Sequence, residues 1–266
     1  VQIKLLEDMV NKTKSDVSIA TFCLTAFPTL MSNAEKKFYL VQNYEPNFFD
    51  DPVFIKRAKE SYKLPLTKLC VSKWLQQKVG GVYIGNAIND QIFKSKNKYN
   101  EKEIDSVLYL YRNLSWKGDD LAIETLKKIY SNKNTVKIHI VSKEKLGDLG
   151  FPYKLHLNVS NDQLADLYSK VKILLYTSKF EGFGLPPLEA LSCETNVVST
   201  NFEGNEYLIN GKNCLLGNNQ YELAENIFQL FNNTELSISQ IAIGKETAQI
   251  YNFENMINQI LLAFEE

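Results

Sequence analysis

Apolar runs recur along the chain at residues 17–22, 37–42, 69–72, 81–84, 106–111, 136–141, 172–176 and 196–199, and each reads as a buried strand. Between them, residues 119–130, 162–170, 186–193 and 221–231 carry apolar positions at helical spacing. Strands alternating with helices predict an α/β fold of parallel sheets covered on both faces. Ligands of such folds gather at the carboxyl ends of the strands. At the end of the chain, residues 253–264 place Met256, Ile257, Ile260, Leu261 and Phe264 on one helical face. That face is expected to pack against protein, because the polar side lacks the basic cluster of a membrane-surface helix.

Residues 90–105 interrupt the pattern. Lys94, Lys96, Lys98, Glu101, Lys102 and Glu103 crowd there with Asn97 and Asn100 and few large apolar side chains. Such a composition predicts an exposed linker. Three or four strands precede it, few for a complete doubly wound domain, and a fuller α/β unit follows. The expected organisation is a shortened N-terminal domain at 1–92, a second domain at 93–250, and a helix at 251–266 packing back toward the first.

Charge and cysteine usage narrow the function. Thirty basic residues against thirty-one acidic leave a formal charge of −1, which argues against a nucleic-acid binder relying on phosphate neutralisation. Cys23, Cys70, Cys193 and Cys214 form no C-x-x-C pair, so reduced thiols in a cytoplasmic protein are expected rather than a disulfide framework or zinc site. His139 and His156 sit in strand-like runs and read as core or strand-edge histidines rather than metal ligands. No apolar run approaches the ~20 residues that cross a bilayer, and no signal peptide is visible, although the sequence starts at Val1 rather than Met.

The candidate chemistry concentrates in residues 178–192, where the strand at 173–176 runs through a loop with Gly182 and Gly184 into a helix opening at Pro186-Pro187. Glycine permits close backbone approach to a ligand, and proline suits the first helical turn. The N–H groups of Gly184 and Leu185 can then face an anion, with the helix dipole favouring the same charge. Glu181 and Glu189 bracket that anion site and can accept hydrogen bonds from hydroxyls on either side of it. A nucleoside diphosphate sugar has this layout: sugar, diphosphate, ribose. Read more plainly, Glu189 is a carboxylate stabilising the first turn of its own helix.

The segment Glu181-Gly182-Phe183-Gly184-Leu185-Pro186-Pro187-Leu188-Glu189 resembles the E-x7-E signature of retaining family 4 glycosyltransferases with the GT-B fold. The likeness runs on through Ala190-Leu191-Ser192-Cys193 and the strand at Val197-Val198. It departs at Glu194-Thr195-Asn196, where the family usually has Gly-Thr-Pro, which bears on the geometry of that turn. A second segment, from Arg112 to Lys117-Gly118, resembles the family's G-R-x4-K-G loop with Tyr111 in the glycine position. The resemblance implies that Arg112 and Lys117 grip the donor diphosphate, a role that suits a planar guanidinium fork and a mobile ammonium. Softer likenesses lie in Lys68–Leu75 with Tyr83–Ile88, which resembles the passage between the family's domains, and in Val41-Gln-Asn-Tyr-Glu-Pro46. The latter resembles a segment of rhamnan and cell-surface polysaccharide transferases, and reads equally as a strand stopped by proline. Of the nearby aromatics Phe38, Tyr39, Tyr44, Phe48 and Phe49, core packing is the commoner role and sugar stacking the alternative.

The resemblance implies two Rossmann-like parallel-sheet domains, the N-terminal one shortened and on the acceptor side, the C-terminal one binding the nucleotide sugar. It implies transfer of a hexosyl or deoxyhexosyl group with retention, to a glycan or lipid-linked acceptor. Glu181, Arg112 and Lys117 would take catalytic roles, and Gly182, Phe183, Gly184, Leu185 and Glu189 would complete the substrate site. No D-x-D triplet occurs, and Glu103-Ile104-Asp105 falls in the charged stretch where it reads as solvated surface. No metal or other cofactor is expected, and leaving-group charge would be met by Arg112, Lys117 and the helix start. The setting expected is the cytoplasm, at the inner membrane face if peripheral contact occurs. The family's usual opening strand and glycine-rich loop do not appear ahead of Val17, and no histidine precedes His139. A non-catalytic donor-binding module or partner subunit, or a nucleotide-sugar epimerase, are the competing readings.

Overall fold

The computed structural model describes residue 12 and residues 14–265, so most of the chain ahead of Val17 lies outside the described residues. The fold is α/β and divides into two compact units. Unit 1 holds the described residues up to Asn86, the short stretch Glu181–Phe183 and the last helix. Unit 2 holds Ala87–Phe180 and Gly184–Asn252.

Unit 1 is built on a four-stranded parallel sheet in the order β1-β2-β3-β4, comprising β1 (Val17–Ala20), β2 (Lys36–Val41), β3 (Thr67–Cys70) and β4 (Val82–Tyr83). Helices α1 (Cys23–Met31), α2 (Pro52–Ser61) and α3 (Lys73–Val79) make the successive crossovers. Local chemistry sets their starts. Asp51 accepts from Val53 N at 2.8 Å ahead of Pro52, and Ser72 Oγ accepts from Leu75 N at 3.2 Å, so orphan N–H groups are satisfied. The start of α1 is satisfied from a distance, because Glu45 Oε2 accepts from both Cys23 N and the Tyr39 hydroxyl.

The last helix of the chain, numbered α9 (Phe253–Glu265), belongs to unit 1. Its contact face differs from the predicted stripe. Ile260, Ala263 and Phe264 pack on Phe38, Leu69 and Ile84, with the Phe264 ring 4.3 Å from that of Phe38. Ile257 and Leu261 stay exposed.

Unit 2 is a six-stranded parallel sheet in the order β10-β9-β8-β5-β6-β7. The strands are β5 (Ser106–Leu110), β6 (Lys137–Ser142), β7 (Lys154–Leu157), β8 (Ile173–Tyr176), β9 (Asn196–Ser199) and β10 (Leu215–Leu216). Helices α4 (Asp119–Asn132), α5 (Asn161–Lys170), α6 (Leu185–Ser192), α7 (Gln220–Asn232) and α8 (Thr234–Ile250) surround it. One face of the sheet packs Ile138, Ile140 and Ile173 against Leu126 and Ile129 of α4 and Ile227 and Leu230 of α7. The chain runs outward from β5 through β6 to β7, then returns to β8 on the other side of β5. The strand order therefore reverses between β5 and β8, which makes their carboxyl ends the switch point where α/β sheets bind ligands. The unit also closes on itself, for Ile88 N donates to Tyr251 O at 3.1 Å.

Residues 90–105 are not an exposed linker. Phe93 and Lys102 are buried, and Ser192 Oγ donates to Phe93 O. The Lys102 ammonium donates to Ser169 O (2.8 Å), Tyr168 O (3.2 Å), Cys193 O (3.4 Å) and Thr195 Oγ1 (3.2 Å). Burial depresses its pKa to about 8, and the carbonyls it meets lie at the negative ends of α5 and α6. A charged residue read as surface is thus an internal staple. Glu103 departs from the solvated reading in the same way, since its Oε2 lies 2.7 Å from His139 Nε2 while Lys137 pairs with Oε1. His139 is buried within the sheet, with Nδ1 3.0 Å from His156 Nε2; burial lowers both imidazole pKa values, that of His156 to about 4. All four cysteines are unpaired and buried.

Where the family has glycine, Glu194 adopts φ 56°. The turn is left-handed there, and a non-glycine residue bears the cost, roughly 1–2 kcal/mol. Glu194→Gly should therefore stabilise the chain, by about 1 kcal/mol after the exposed Lys245–Glu194 pair (2.7 Å) is lost. Chemical unfolding would read this as a higher midpoint; a lower one would show that the ion pair outweighs the strain.

Candidate functional site

Two loops leave the switch point of unit 2, one after β5 and one after β8, and they carry most of the candidate residues. After β5 the chain turns through Arg112 and a 3-10 turn at Ser115–Lys117 into α4. Asp119, in the first turn of α4, organises this loop by accepting from Tyr109 Oη, Arg112 N (3.3 Å) and Leu114 N (3.3 Å). Gly118 caps α4 at φ 70°, and a Cβ there would stand 2.1 Å from Thr177 O. Only glycine allows that approach.

The β8 loop binds to the β5 loop through that contact. Thr177 Oγ1 donates to Lys117 O (3.1 Å) and Gly118 O (3.0 Å), Lys179 N donates to Trp116 O (2.8 Å), and the Trp116 and Phe180 rings stack at 6.0 Å. The loop with Arg112 and Lys117 is thereby fastened to the segment leading into α6. At the start of α6, Gly184 has φ 83° and would drive a Cβ to 2.8 Å from the Phe202 ring, while Tyr207 Oη donates to Gly184 O. Leu185, Pro186 and Pro187 form the first turn.

Glu189 lies one turn inside α6, half-buried. Its pKa is pushed up to about 7 by burial, against the opposing pull of a hydrogen bond from Tyr168 Oη (3.2 Å to Oε2) and of the Arg112 charge. Arg112 also acts on the Tyr168 hydroxyl. Arg112 and Glu189, 77 positions apart in the chain, are thus electrostatic neighbours. Beside Arg112, a cavity of about 390 Å³ opens at the carboxyl ends of β5 and β6, lined by Tyr111, Arg112, Asn113, Ser142, Lys143 and Glu144. That size is ordinary for a small-molecule site. Ser142, Lys143, Glu144 and Tyr168 were not among the residues singled out from sequence, although the rule for strand carboxyl ends points to the first three.

Glu181, Gly182 and Phe183 group with unit 1 rather than with α6. All three are buried. A Cβ on Gly182 would lie 1.8 Å from Gln42 O, so this glycine is required by the chain just after β2. In the same stretch Glu45 is buried and structural, its pKa raised by desolvation, and Tyr62 Oη accepts from Glu45 N at 2.9 Å. Of the aromatics named from sequence, Phe38 and Tyr39 are buried in the core, where they stack on Phe264 and Tyr62, while the half-buried Tyr44 and Phe49 stack on Tyr62 and the exposed Phe54.

Residues 89–247 match the family model for glycosyl transferases group 1. The chain is 29% identical over 215 residues to an uncharacterized glycosyltransferase of Methanocaldococcus jannaschii, covering 74% of this chain and 59% of that protein. It therefore spans about three fifths of that relative's length. Among solved structures, sucrose-phosphate synthase from Thermosynechococcus elongatus superposes with a TM-score of 0.83 at 16% identity, covering 99% of this chain and 76% of the other. Anabaena HepE in complex with UDP-glucose superposes with a TM-score of 0.82 at 16% identity, covering 99% and 81%. Among the described residues, no helix is long and apolar enough to cross a membrane.

Proposed function

We propose, from the premise that this chain belongs to the group 1 glycosyl transferases, that it binds a nucleoside diphosphate sugar and transfers the sugar with retention. Arg112 and Lys117 hold the diphosphate, aided by the N–H groups at the start of α6, and so stabilise the leaving group's charge as the glycosidic bond breaks. Glu189 accepts from the ribose hydroxyls, and the nucleoside side of the donor occupies the cavity beside Arg112. Glu181 positions the donor sugar, a hexosyl or deoxyhexosyl group, with Gly182, Phe183, Gly184 and Leu185 shaping the backbone around it. The acceptor is a glycan or a lipid-linked glycan of the surface-polysaccharide kind, which the likeness of Val41–Pro46 favours. The observation supporting this reading is that the β5 loop bearing Arg112 and Lys117 is fastened at the switch point, through Thr177, to the segment leading into α6, where the Arg112 charge is felt by Glu189.

Titrating the protein with UDP-glucose, GDP-mannose and dTDP-rhamnose without divalent cations, then following donor hydrolysis and transfer, tests it. Sugar transfer or slow donor hydrolysis supports the proposal. Binding without turnover identifies a donor-binding module, an isomerised donor an epimerase, and no binding of any donor ends the reading.

The raised pKa of Glu189 gives the binding a pH signature. As pH falls through about 7 the carboxylate takes up a proton, and one oxygen stops accepting from the ribose. The phosphates of a nucleotide sugar do not titrate in this range, so affinity for the donor should decline from pH 8 to pH 5.5, by at most roughly tenfold per unit below the midpoint. Glu189→Gln should flatten the profile. Calorimetry reads both, and an identical slope in the variant would remove Glu189 from the ribose site.

A further inference from the structure

We infer that Tyr168 is a positioning residue for donor binding: from α5 its hydroxyl holds the Glu189 side chain in place and keeps it a carboxylate. The inference rests on the donor-site reading given above and adds a residue to it. Tyr168 is fully buried, and its hydroxyl donates to Glu189 Oε2 at 3.2 Å. A buried phenol ordinarily finds a partner, and a donor to a carboxylate favours the charged form.

What distinguishes this tyrosine is how firmly it is held from behind. Its carbonyl accepts from the Lys102 ammonium at 3.2 Å and from Thr195 Oγ1. The same ammonium bonds Ser169 O and Cys193 O, which ties the end of α5 to the residue following α6. On its flank, the Phe93 ring lies 6.2 Å from the phenol ring. The backbone at 168 is therefore fixed relative to the helix bearing Glu189, so the hydroxyl is delivered at a set distance. The charged and titratable groups acting on the pair are Arg112 from the β5 loop and Cys193 at the end of α6, with Lys102 behind Cys193. Arg112 and the Tyr168 hydroxyl both favour the carboxylate against the cost of burial, and diphosphate arriving at Arg112 would partly neutralise the first. The hydroxyl remains as the support that ligand charge does not cancel.

The experiment is a carboxyl titration of the ligand-free full chain labelled with 13C-glutamate, the Glu189 signal being identified by its loss in Glu189→Gln. Tyr168→Phe should raise the Glu189 midpoint by half a unit or more. Site-specific 3-fluorotyrosine at 168, a more acidic donor, should lower it, which keeps the test decisive if the phenylalanine variant folds poorly. In parallel, UDP-glucose affinity of Tyr168→Phe should drop about three- to tenfold at pH 6.5 and return to within about twofold of the parent at pH 8.5. A general packing defect would not vanish at high pH. An unmoved midpoint in both variants overturns the inference. Failure of the parent to bind UDP-glucose would instead count against the donor reading, with the ligand-free midpoint still deciding the part played by Tyr168.

Discussion

Replacing Arg112 or Lys117 by alanine is expected to weaken nucleoside diphosphate binding by about 1.5–3 kcal/mol each, the scale of losing a hydrogen bond to a charged group, or roughly ten- to 150-fold. The two losses arise differently. Arg112 presents a fork that can meet two phosphate oxygens, and it also favours the ionised form of Glu189. Its removal should therefore shift the pH profile as well as the affinity. Lys117 contributes a point charge at the end of a 3-10 turn whose carbonyl is already held by Thr177, so its loss should leave the profile in place. Arg112→Lys should recover only part of the affinity, because the fork is gone while the charge stays. Calorimetry with UDP and with UDP-glucose at two pH values separates these outcomes; full affinity in both alanine variants would refute the phosphate site.

Gly118→Ala should be the most damaging small substitution in unit 2. The residue sits at φ 70°, and the added methyl would reach within 2.1 Å of the Thr177 carbonyl. Left-handed strain costs about 1–2 kcal/mol, and relieving the overlap by moving packed backbone adds about 1–3 kcal/mol. A total loss of roughly 2–5 kcal/mol is expected from chemical unfolding. The damage is also functional, for the backbone that must yield is the one fastening the β5 loop to the β8 loop. Donor affinity should fall even in protein that remains folded, whereas Gly147→Ala, with nothing within 4 Å of the added carbon, should leave donor affinity unchanged. Equal stability of Gly118→Ala and the parent protein would show that the loops slide past one another freely.

The legible parts of this chain are those where one residue type does one job. Strands β5, β6, β8 and β9 are covered on both faces, so they read as continuous apolar runs. β7 reads as strand-like only around His156, because Lys154-Leu155-His156-Leu157 mixes charge with apolar residues at the sheet edge, and β10 does not read as a strand because two leucines make no pattern. Helix α8 is the largest omission. Apart from Ile241, its buried positions are Ser237, Gln240, Gly244 and Ala248, small or polar side chains that allow close packing, as Gly244 does on Leu191. No apolar stripe announces such a helix. In α1, Pro28 inside the helix obscured the pattern.

The site divides along similar lines. Arg112, Lys117, Gly184 and Glu189 stand in contiguous motifs, which makes them candidates legible in the sequence. The support behind them is not legible there, because Tyr168 and Glu189 meet from different helices, and Lys102 finds carbonyl partners that no side-chain pattern encodes. The charges of residues 94–103 suggested a tether, yet one of them is buried where helix ends converge. Gly182 illustrates a different limit. Its place in the motif points to a ligand-facing role, and the motif does not reveal that the Gln42 carbonyl also forbids a side chain there.

The bond between Ile88 N and Tyr251 O seals unit 2 where the polypeptide enters and leaves it, and α9 then resumes the body begun by β1. In the sequence, unit 2 is therefore a parenthesis within unit 1, broken once where Glu181–Phe183 group with unit 1. Clipping the final turn, with Phe264, would uncover Phe38 more than two hundred residues earlier. Injury at the tail would be felt at the front of the chain, with the intervening text left intact.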